Sequence, residues 1–417
     1  MEKSGKFRLT SLERNWILYD VGNSAFVLMV ATLIPIFFNA LAEAGGLSSV
    51  EYLAYWGYAS SAVTIITAVL SPILGTVADT KGFKKPIFIL CVFVGIVGCC
   101  AMGAVSAWLP FLVIFVIAKV GFSGSLVFYD SMLSDVTTPE RMDEVSSRGY
   151  AWGYIGSCVP FVVCLGLVLG AGSIGISQMT ALNLALLLTA AWWLLTTLPL
   201  LKSYKQLYYV EVEKHAVRQS FARIGHTLRH LPEDKQVFWF LLAFFCYIDG
   251  VYTIIDMATA YGTALGLDTT GLLLALLVTQ IVAFPSALVF GRLSNKYPSA
   301  KLIPVCIAAY AGIAVFAFFL TRQWQFWVLA VIVGMFQGGV QALSRSHFAK
   351  IIPPEKSGEY FGLFDICGKG ASFLGTMIVS VGSQLTGSAN VGVGSLIVLF
   401  IVGFVLFRVS CRQGETA

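Results

Sequence analysis

Charge is what this sequence has least of. Only 12% of its 417 residues are Asp, Glu, Lys or Arg, about half the share that a soluble domain carries. With 57% of residues hydrophobic, water cannot be the solvent for most of the surface, whereas lipid can. Histidine is scarce too: His215, His226, His230 and His347 make up the whole set and do not form a metal constellation. HExxH, GxSxG and the phosphate-cradling glycine loop are missing, which argues against an enzyme and against direct use of ATP. The nine cysteines form no CxxC pair, and most lie inside apolar runs, as packing thiols do. Met1–Arg14 has no short apolar stretch ahead of a small-residue cleavage site, so no removable signal peptide is expected. No resident cofactor or metal is expected.

What is present is long apolar runs. A membrane-spanning helix needs about 20 mainly apolar residues. About twelve such runs occur: Trp16–Leu41, Leu53–Ala78, Pro86–Ala107, Pro110–Leu133, Ser147–Gly170, Met179–Leu201, Val237–Tyr261, Thr270–Leu293, Leu302–Leu320, Trp324–Phe348, Tyr360–Ser383 and Val391–Val409. The pattern predicts an all-α membrane protein with a multi-pass topology.

Lys and Arg gather in alternate loops. Lys3, Lys6, Arg8 and Arg14, then Lys81, Lys84 and Lys85, then Arg141, then the Lys202–Lys235 stretch, Lys296 and Lys301, Lys350 and Lys356, and Arg408 and Arg412 fall on one side. The opposite loops hold Glu43, Glu51, Asp268 and Arg322. The positive-inside rule then puts both termini in the cytoplasm. The net charge of +5 is read as this loop bias and not as a nucleic-acid surface, because the basic residues are not interleaved with aromatics along one face.

Two anchors repeat. Gly75-Thr-Val-Ala-Asp79 corresponds to Gly291-Arg-Leu-Ser-Asn295 (291 − 75 = 216), and Pro139-Glu140-Arg141 corresponds to Pro354-Glu355-Lys356 (354 − 139 = 215). The chain therefore divides into a six-helix bundle over residues 1–201, a polar linker over 202–235 and a second six-helix bundle over 236–417. Within the linker, Val212–Leu231 suits an interfacial amphipathic helix or a solvated tether.

Gly75-x-x-x-Asp79-x-x-Gly82-x-Lys84-Lys85 follows the second run, and in place and pattern it resembles the signature loop of the major facilitator superfamily. Glycines there allow close helix contact, Asp79 can receive backbone N–H groups from a helix N-terminus in the other bundle, and the lysines can pair with carboxylates. The set reads as a cytoplasmic gate formed by Gly75, Asp79, Gly82, Lys84 and Lys85 with the degenerate copy Gly291 and Asn295, whose latch would lack the charge. Three further strings, Trp16-Ile-Leu-Tyr19-Asp20-Val-Gly-Asn23, Val127-Phe-Tyr129-Asp130-Ser131 and Gly338-Gly339-Val-Gln341-Ala-Leu-Ser344-Arg345, resemble the bacterial UMF branch of the superfamily, which is similar to fungal vacuolar amino-acid effluxers linked to autophagy. Asp130 stands where many relatives have Asn, and Lys119 stands where the superfamily usually has Arg. The resemblance implies a secondary transporter with an amino-acid-like solute.

Charges inside spans are costly and need a partner, water or a task. Asp20 and Asn23 lie one turn apart in the first span, as a pathway face or an interfacial cap. Lys119, in the fourth span, either lines the pathway or pairs with Asp20 or another carboxylate. Asp249, Tyr252, Thr253 and Asp256 recur at i, i+3, i+4 and i+7, one helix face. Either acid is a candidate for proton coupling, or both neutralise Lys119, Arg345 or Lys369. Asp365 and Lys369 form an i, i+4 pair. Arg345, at the repeat position of Asp130, can close a salt bridge between the bundles.

The leading expectation is a monomeric secondary carrier that moves a small polar or zwitterionic solute by alternating access, coupled to protons and surrounded by lipid. The alternatives are an exporter of amphipathic drugs or lipids and a transport-fold sensor or assembly partner without net flux.

Overall fold

The computed structural model describes residues 7–211, 225–227 and 229–415. All twelve apolar runs are helices. The first span is Ser11–Ala31 continued by Leu33–Ala44, and the next five are Ser49–Ala78, Lys84–Met102, Trp108–Ser131, Met142–Leu169 and Gln178–Ser203. The seventh to eleventh are Lys235–Ala264, Thr269–Leu293, Ser299–Phe318, Gln323–Ile351 and Ser357–Thr386, and the twelfth is Ala389–Gly394 followed by Ile397–Glu415. Eleven are long and apolar enough to cross a bilayer among the described residues. The remaining one, Ser357–Thr386, has 30 residues, about 45 Å at 1.5 Å per residue, and also has the length to cross.

The break in the first span has a local cause. Pro35 has no N–H to donate to Ala31, and its ring crowds that carbonyl. The helix parts at Thr32 (φ −130°, ψ −74°), whose hydroxyl turns back to donate to the Leu28 carbonyl at 2.5 Å. At its start the same span is fixed by a capping box, with Thr10 N–H donating to Glu13 Oε2 at 2.7 Å and Glu13 N–H donating to Thr10 Oγ1 at 3.1 Å.

Spans 1–6 and 7–12 form two six-helix bundles, each with its own aromatic core. Phe26, Phe122 and Trp193 stack in the first, and Phe240, Phe348, Phe364 and Phe407 in the second. The bundles meet along two long seams, the second span on the eleventh and the fifth on the eighth, with the tenth also against the fifth. These seams exchange under the repeat, as a pseudo-twofold axis between the bundles requires. Large apolar side chains such as Ile65, Phe93, Leu195 and Val305 point outward, where only lipid gives them a favourable surrounding.

Tyr204–Glu211, the start of the linker, lies against the loop after the second span. Val210 N–H donates to the Asp79 carbonyl at 2.7 Å, and Gln206 both donates to the Ala78 carbonyl at 3.1 Å and accepts from Gly82 N–H at 3.0 Å. Of the amphipathic helix expected over Val212–Leu231, residues 212–224 and 228 lie outside the described ones. Residues 225–227 and 229–230 are helical.

Candidate functional site

At the end of the molecule that carries Lys81, Lys85, Arg141 and Lys350, the two seams close as latches. In the first, the second and eleventh spans touch backbone to backbone: a Cβ on Gly75 would lie 2.1 Å from the Gly358 carbonyl oxygen. Asp79, just beyond the second span, accepts the N–H of Gly358 at 2.7 Å and of Glu359 at 2.8 Å, the exposed donors of a helix N-terminus. Gly82 makes the turn with φ +81°. Lys84, fully buried, donates to Ser357 Oγ at 2.8 Å and lies 3.4 Å from Asp135 and 3.8 Å from Asp79. Burial outweighs this company at Asp79 and pushes its carboxyl up to about 7, against the pull of Lys84 and the two amides. Lys85 is half-buried beside this turn.

The second latch uses the same scaffold with the charge moved. Gly291 packs against Ser147 and Glu144 of the fifth span. Asn295, lacking a charge, donates its amide to Glu144 Oε2 at 2.7 Å, and Arg148 holds the other oxygen of that carboxylate. The loop copy lacks the negative group, and the facing helix supplies it. Ser346 and Lys350, both 2.6 Å from Asp143, close the same side.

Behind the latches lies Arg345. The tenth span carries this guanidinium into the first bundle, where its Nη1 meets Asp130 Oδ1 at 2.9 Å, its Nε donates to Ser146 Oγ at 2.9 Å, and its Nη2 donates to the Ser146 carbonyl at 3.1 Å. Asp20 Oδ2 lies 3.8 Å away. Aromatic faces enclose the cation, with ring centroids of Tyr150, Trp16 and Tyr129 at 4.3, 4.7 and 5.4 Å. Trp16 is itself held, stacked on Tyr129 at 4.3 Å and donating to the Tyr129 carbonyl at 2.9 Å. Arg345 and Asp130 stand one repeat apart (345 − 130 = 215). A residue that touches its own repeat partner must lie on the pseudo-twofold axis. Asn23 stays inside the first span's own network, donating to the Tyr19 carbonyl at 3.2 Å.

Deeper still, Ser71 of the second span donates to Asp365 Oδ2 of the eleventh at 2.7 Å, again across the bundles. The Lys369 side chain, expected to pair with Asp365, lies outside the described residues. The seventh span divides its four polar residues. Asp249 and Thr253, fully buried, pack on the eleventh span, where Asp249 Oδ1 accepts from Gly375 N–H at 2.8 Å and Thr253 Oγ1 at 3.3 Å. Tyr252 lies instead among Asp130, Asp365 and Asp256, and Asp256 is exposed. A stripe of i, i+3, i+4 and i+7 is about 100° wide at 100° per residue, enough to border two different neighbours. Lys119 of the first bundle is half-buried over the Phe122 ring at 4.7 Å, and its charge acts on Asp256 of the second. Among the described residues, Tyr310 Oη and Asp249 Oδ2 are buried without a hydrogen-bond partner.

The family described as vacuole effluxer Atg22 like matches residues 11–139 and 134–416, nearly the whole chain. The chain belongs to this family. Among its Atg22-like relatives, the uncharacterized MFS-type transporter YxiO of Bacillus subtilis (strain 168) is 42% identical over 98% of this chain and 97% of its own length. Autophagy-related protein 22 is 25% identical in Coccidioides immitis (strain RS) and 27% identical in Saccharomyces cerevisiae (strain ATCC 204508 / S288c). Those matches cover 65% and 58% of this chain but only 51% and 53% of the fungal proteins. The human organic anion transporter MFSD10 (TETRAN) superposes with a TM-score of 0.71 at 15% identity, over 95% of this chain and 99% of that one. The transporter FucP in its outward conformation also gives 0.71, at 16% identity, over 96% and 97%. The fold of this Atg22-like chain is thus the major facilitator fold, and the chain is an MFS-type transporter in a multi-pass membrane setting.

Sequence reasoning passed over Trp16 as a cation-stacking face, and it missed Ser71, Asp135, Asp143, Tyr150 and Lys350. For the Atg22-like latches one signal was available. Extending the Pro-Glu-Arg/Pro-Glu-Lys repeat by three residues pairs Glu144 with Glu359 (359 − 144 = 215), the two acids that flank the seams.

Proposed function

We propose that the protein is a secondary active transporter that carries a small zwitterionic, amino-acid-like solute by alternating access, with residues 1–201 and 236–417 rocking about the Arg345 axis and 202–235 joining them. The observation that carries the reading is Asp256. An exposed carboxylate well inside a span cannot face acyl chains, so it borders water. The cation whose charge reaches it, Lys119, belongs to the other bundle. Opposite charges on opposite bundles suit the two ends of a zwitterion, and binding one would draw the bundles together. The positive-inside rule puts the latched end in the cytoplasm with both termini, so the opening at Asp256 faces outward. Asp249, with one buried oxygen unpartnered, is the proton site of this reading: a proton on Oδ2 neutralises a charge that otherwise has no cation beside it among the described residues.

The test is uptake of a mixture of radiolabelled L-amino acids by proteoliposomes under an imposed proton gradient. Asp256→Asn and Lys119→Met are expected to lower uptake at least about tenfold, a loss of about 1.4 kcal/mol or more of binding or transition-state free energy. Asp249→Asn is expected to keep exchange and lose acceleration by the gradient. Full gradient-driven uptake in both Asp249→Asn and Asp256→Asn would sink the assignment.

An amphipathic solute is the second reading, and one observation favours it. The second bundle holds an apolar cavity lined by Ile313, Phe326, Leu329 and Val333, with Thr253 and Gln337 at its polar edge. Competition by lipophilic cations, with no effect of amino acids, would select this reading.

A further inference from the structure

The ring of Phe7, ahead of the first span, lies between two guanidiniums. That of Arg141 is 4.2 Å from its centre and that of Arg148 is 4.8 Å away. The two cations have different tasks. Arg141 holds the segment in place: its Nε and Nη2 donate to Glu13 at 2.8 and 2.7 Å, and Nη2 also donates to the Arg8 carbonyl at 2.8 Å. The Thr137 hydroxyl donates to the same carboxylate at 2.6 Å. Residues 7–10 are thus pinned to the first bundle.

Arg148 instead serves the second latch. Its Nε donates to Glu144 Oε1 at 3.1 Å, and Glu144 Oε2 takes the amide of Asn295 from the other bundle. Glu144 is 2% exposed, and a buried carboxylate with one neutral donor needs its cation. The Arg148 side chain, however, is 24% exposed and flexible. The entropy of holding such a side chain still cancels much of what its charge contributes. A ring against the guanidinium plane lowers that cost and adds cation–π attraction. The first latch has no counterpart, because the repeat places Leu363 at this position (148 + 215 = 363). The cation and its ring belong to the latch whose loop carries no charge.

We infer that Phe7 is a positioning residue of the transport cycle: it holds Arg148 on Glu144 and so favours the closed form of the second latch. Phe7, Arg148 and Glu144 all ride on the first bundle, so the stack outlives opening. What changes is Glu144. Water solvates it once Asn295 withdraws, and a fixed cation beside it then contributes little. The ring therefore acts on the closed form more than on the open one, as any shift of a two-state balance requires. The segment ahead of the first span is thus a handle on the gate, whatever the protein carries.

The test uses Ser147→Cys, at a buried seam position that faces Gly291 and whose hydroxyl has no partner among the described residues. The full chain sits in lipid nanodiscs without solute, with the half-buried Cys100, Cys246, Cys367 and Cys411 changed to Ser. A water-soluble maleimide reaches the new thiol only when the latch parts. Its labelling rate therefore follows the open population even where that population is small. Phe7→Leu, which keeps the bulk and loses the π face, is expected to label about fivefold faster, the worth of one half-exposed cation–π contact. Phe7→Trp keeps a π face and is expected to label no faster than the unsubstituted Phe7 chain. With Arg148→Met as background, Phe7→Leu is expected to add nothing. A purely structural Phe7 would instead lower the melting temperature and leave labelling unchanged. Unchanged labelling in Phe7→Leu, an equal acceleration by Phe7→Trp, or the same acceleration with Arg148 absent overturns the inference.

Discussion

Replacing Arg345 with methionine is expected to be among the most damaging single changes in this molecule. Arg345 is 2% exposed, and its removal leaves the buried Asp20 and the half-buried Asp130 without their cation while Ser146 loses two donors. Breaking a buried ion pair from one side costs about 3–5 kcal/mol, most of it from the stranded partner. The expected outcome is a clearly lower melting temperature in detergent and a longer distance between spin labels placed at Glu140→Cys and Glu355→Cys, exposed sites on opposite bundles. Arg345→Lys is not expected to rescue, because an ammonium cannot span Asp130 and Ser146 while lying flat against Trp16 and Tyr150. Adding Asp130→Asn to Arg345→Met should recover part of the loss, since it removes one stranded charge. If Arg345→Met melts and closes like the wild type, the axis pair is not what holds the bundles together.

The second large effect is expected from one methyl group. Gly75→Ala puts a Cβ 2.1 Å from a backbone carbonyl oxygen of the eleventh span. A backbone atom cannot swing away as a side chain can, so the seam must part. Parting pulls Asp79 off the Gly358 and Glu359 amides, and uptake is expected to fall below a tenth of wild type, about 1.4 kcal/mol or more. The control lies on the same helix. Gly57 has nothing within 4 Å of its Cβ position, so Gly57→Ala should leave uptake unchanged and add slightly to helix stability. Equal behaviour of the two alanine variants would refute the close-approach argument.

The fold was legible because lipid imposes its constraint everywhere: each of the twelve runs had to be long, apolar and helical. Most run ends fell within a few residues of the helix ends. The breaks at Thr32 and before Ile397 were not read, since Pro35 alone does not say whether a helix bends or parts. Three strings that stood far apart in the chain, around Asp20, Asp130 and Arg345, converge on one cation. The repeat offset hinted at this by pairing positions 130 and 345. The direction of each side chain was beyond the pattern. Asp249 and Asp256 share a helix stripe, yet one is sealed against the eleventh span and the other is exposed, a difference set by neighbours that periodicity does not contain. Asn295 misled for a related reason: its loop lacks a charge, but Glu144 came from a different span.

The tie between the linker and the gate bears on how the molecule can be divided. Asp135, Gln206 and Val210 hold residues 204–211 to the first bundle, so this stretch travels with that bundle and is not spare chain. Two separately expressed fragments should therefore reassemble into a working carrier when the break follows Glu211. A break ahead of Gln206 hands the strap to the wrong partner and should yield fragments that associate but leak.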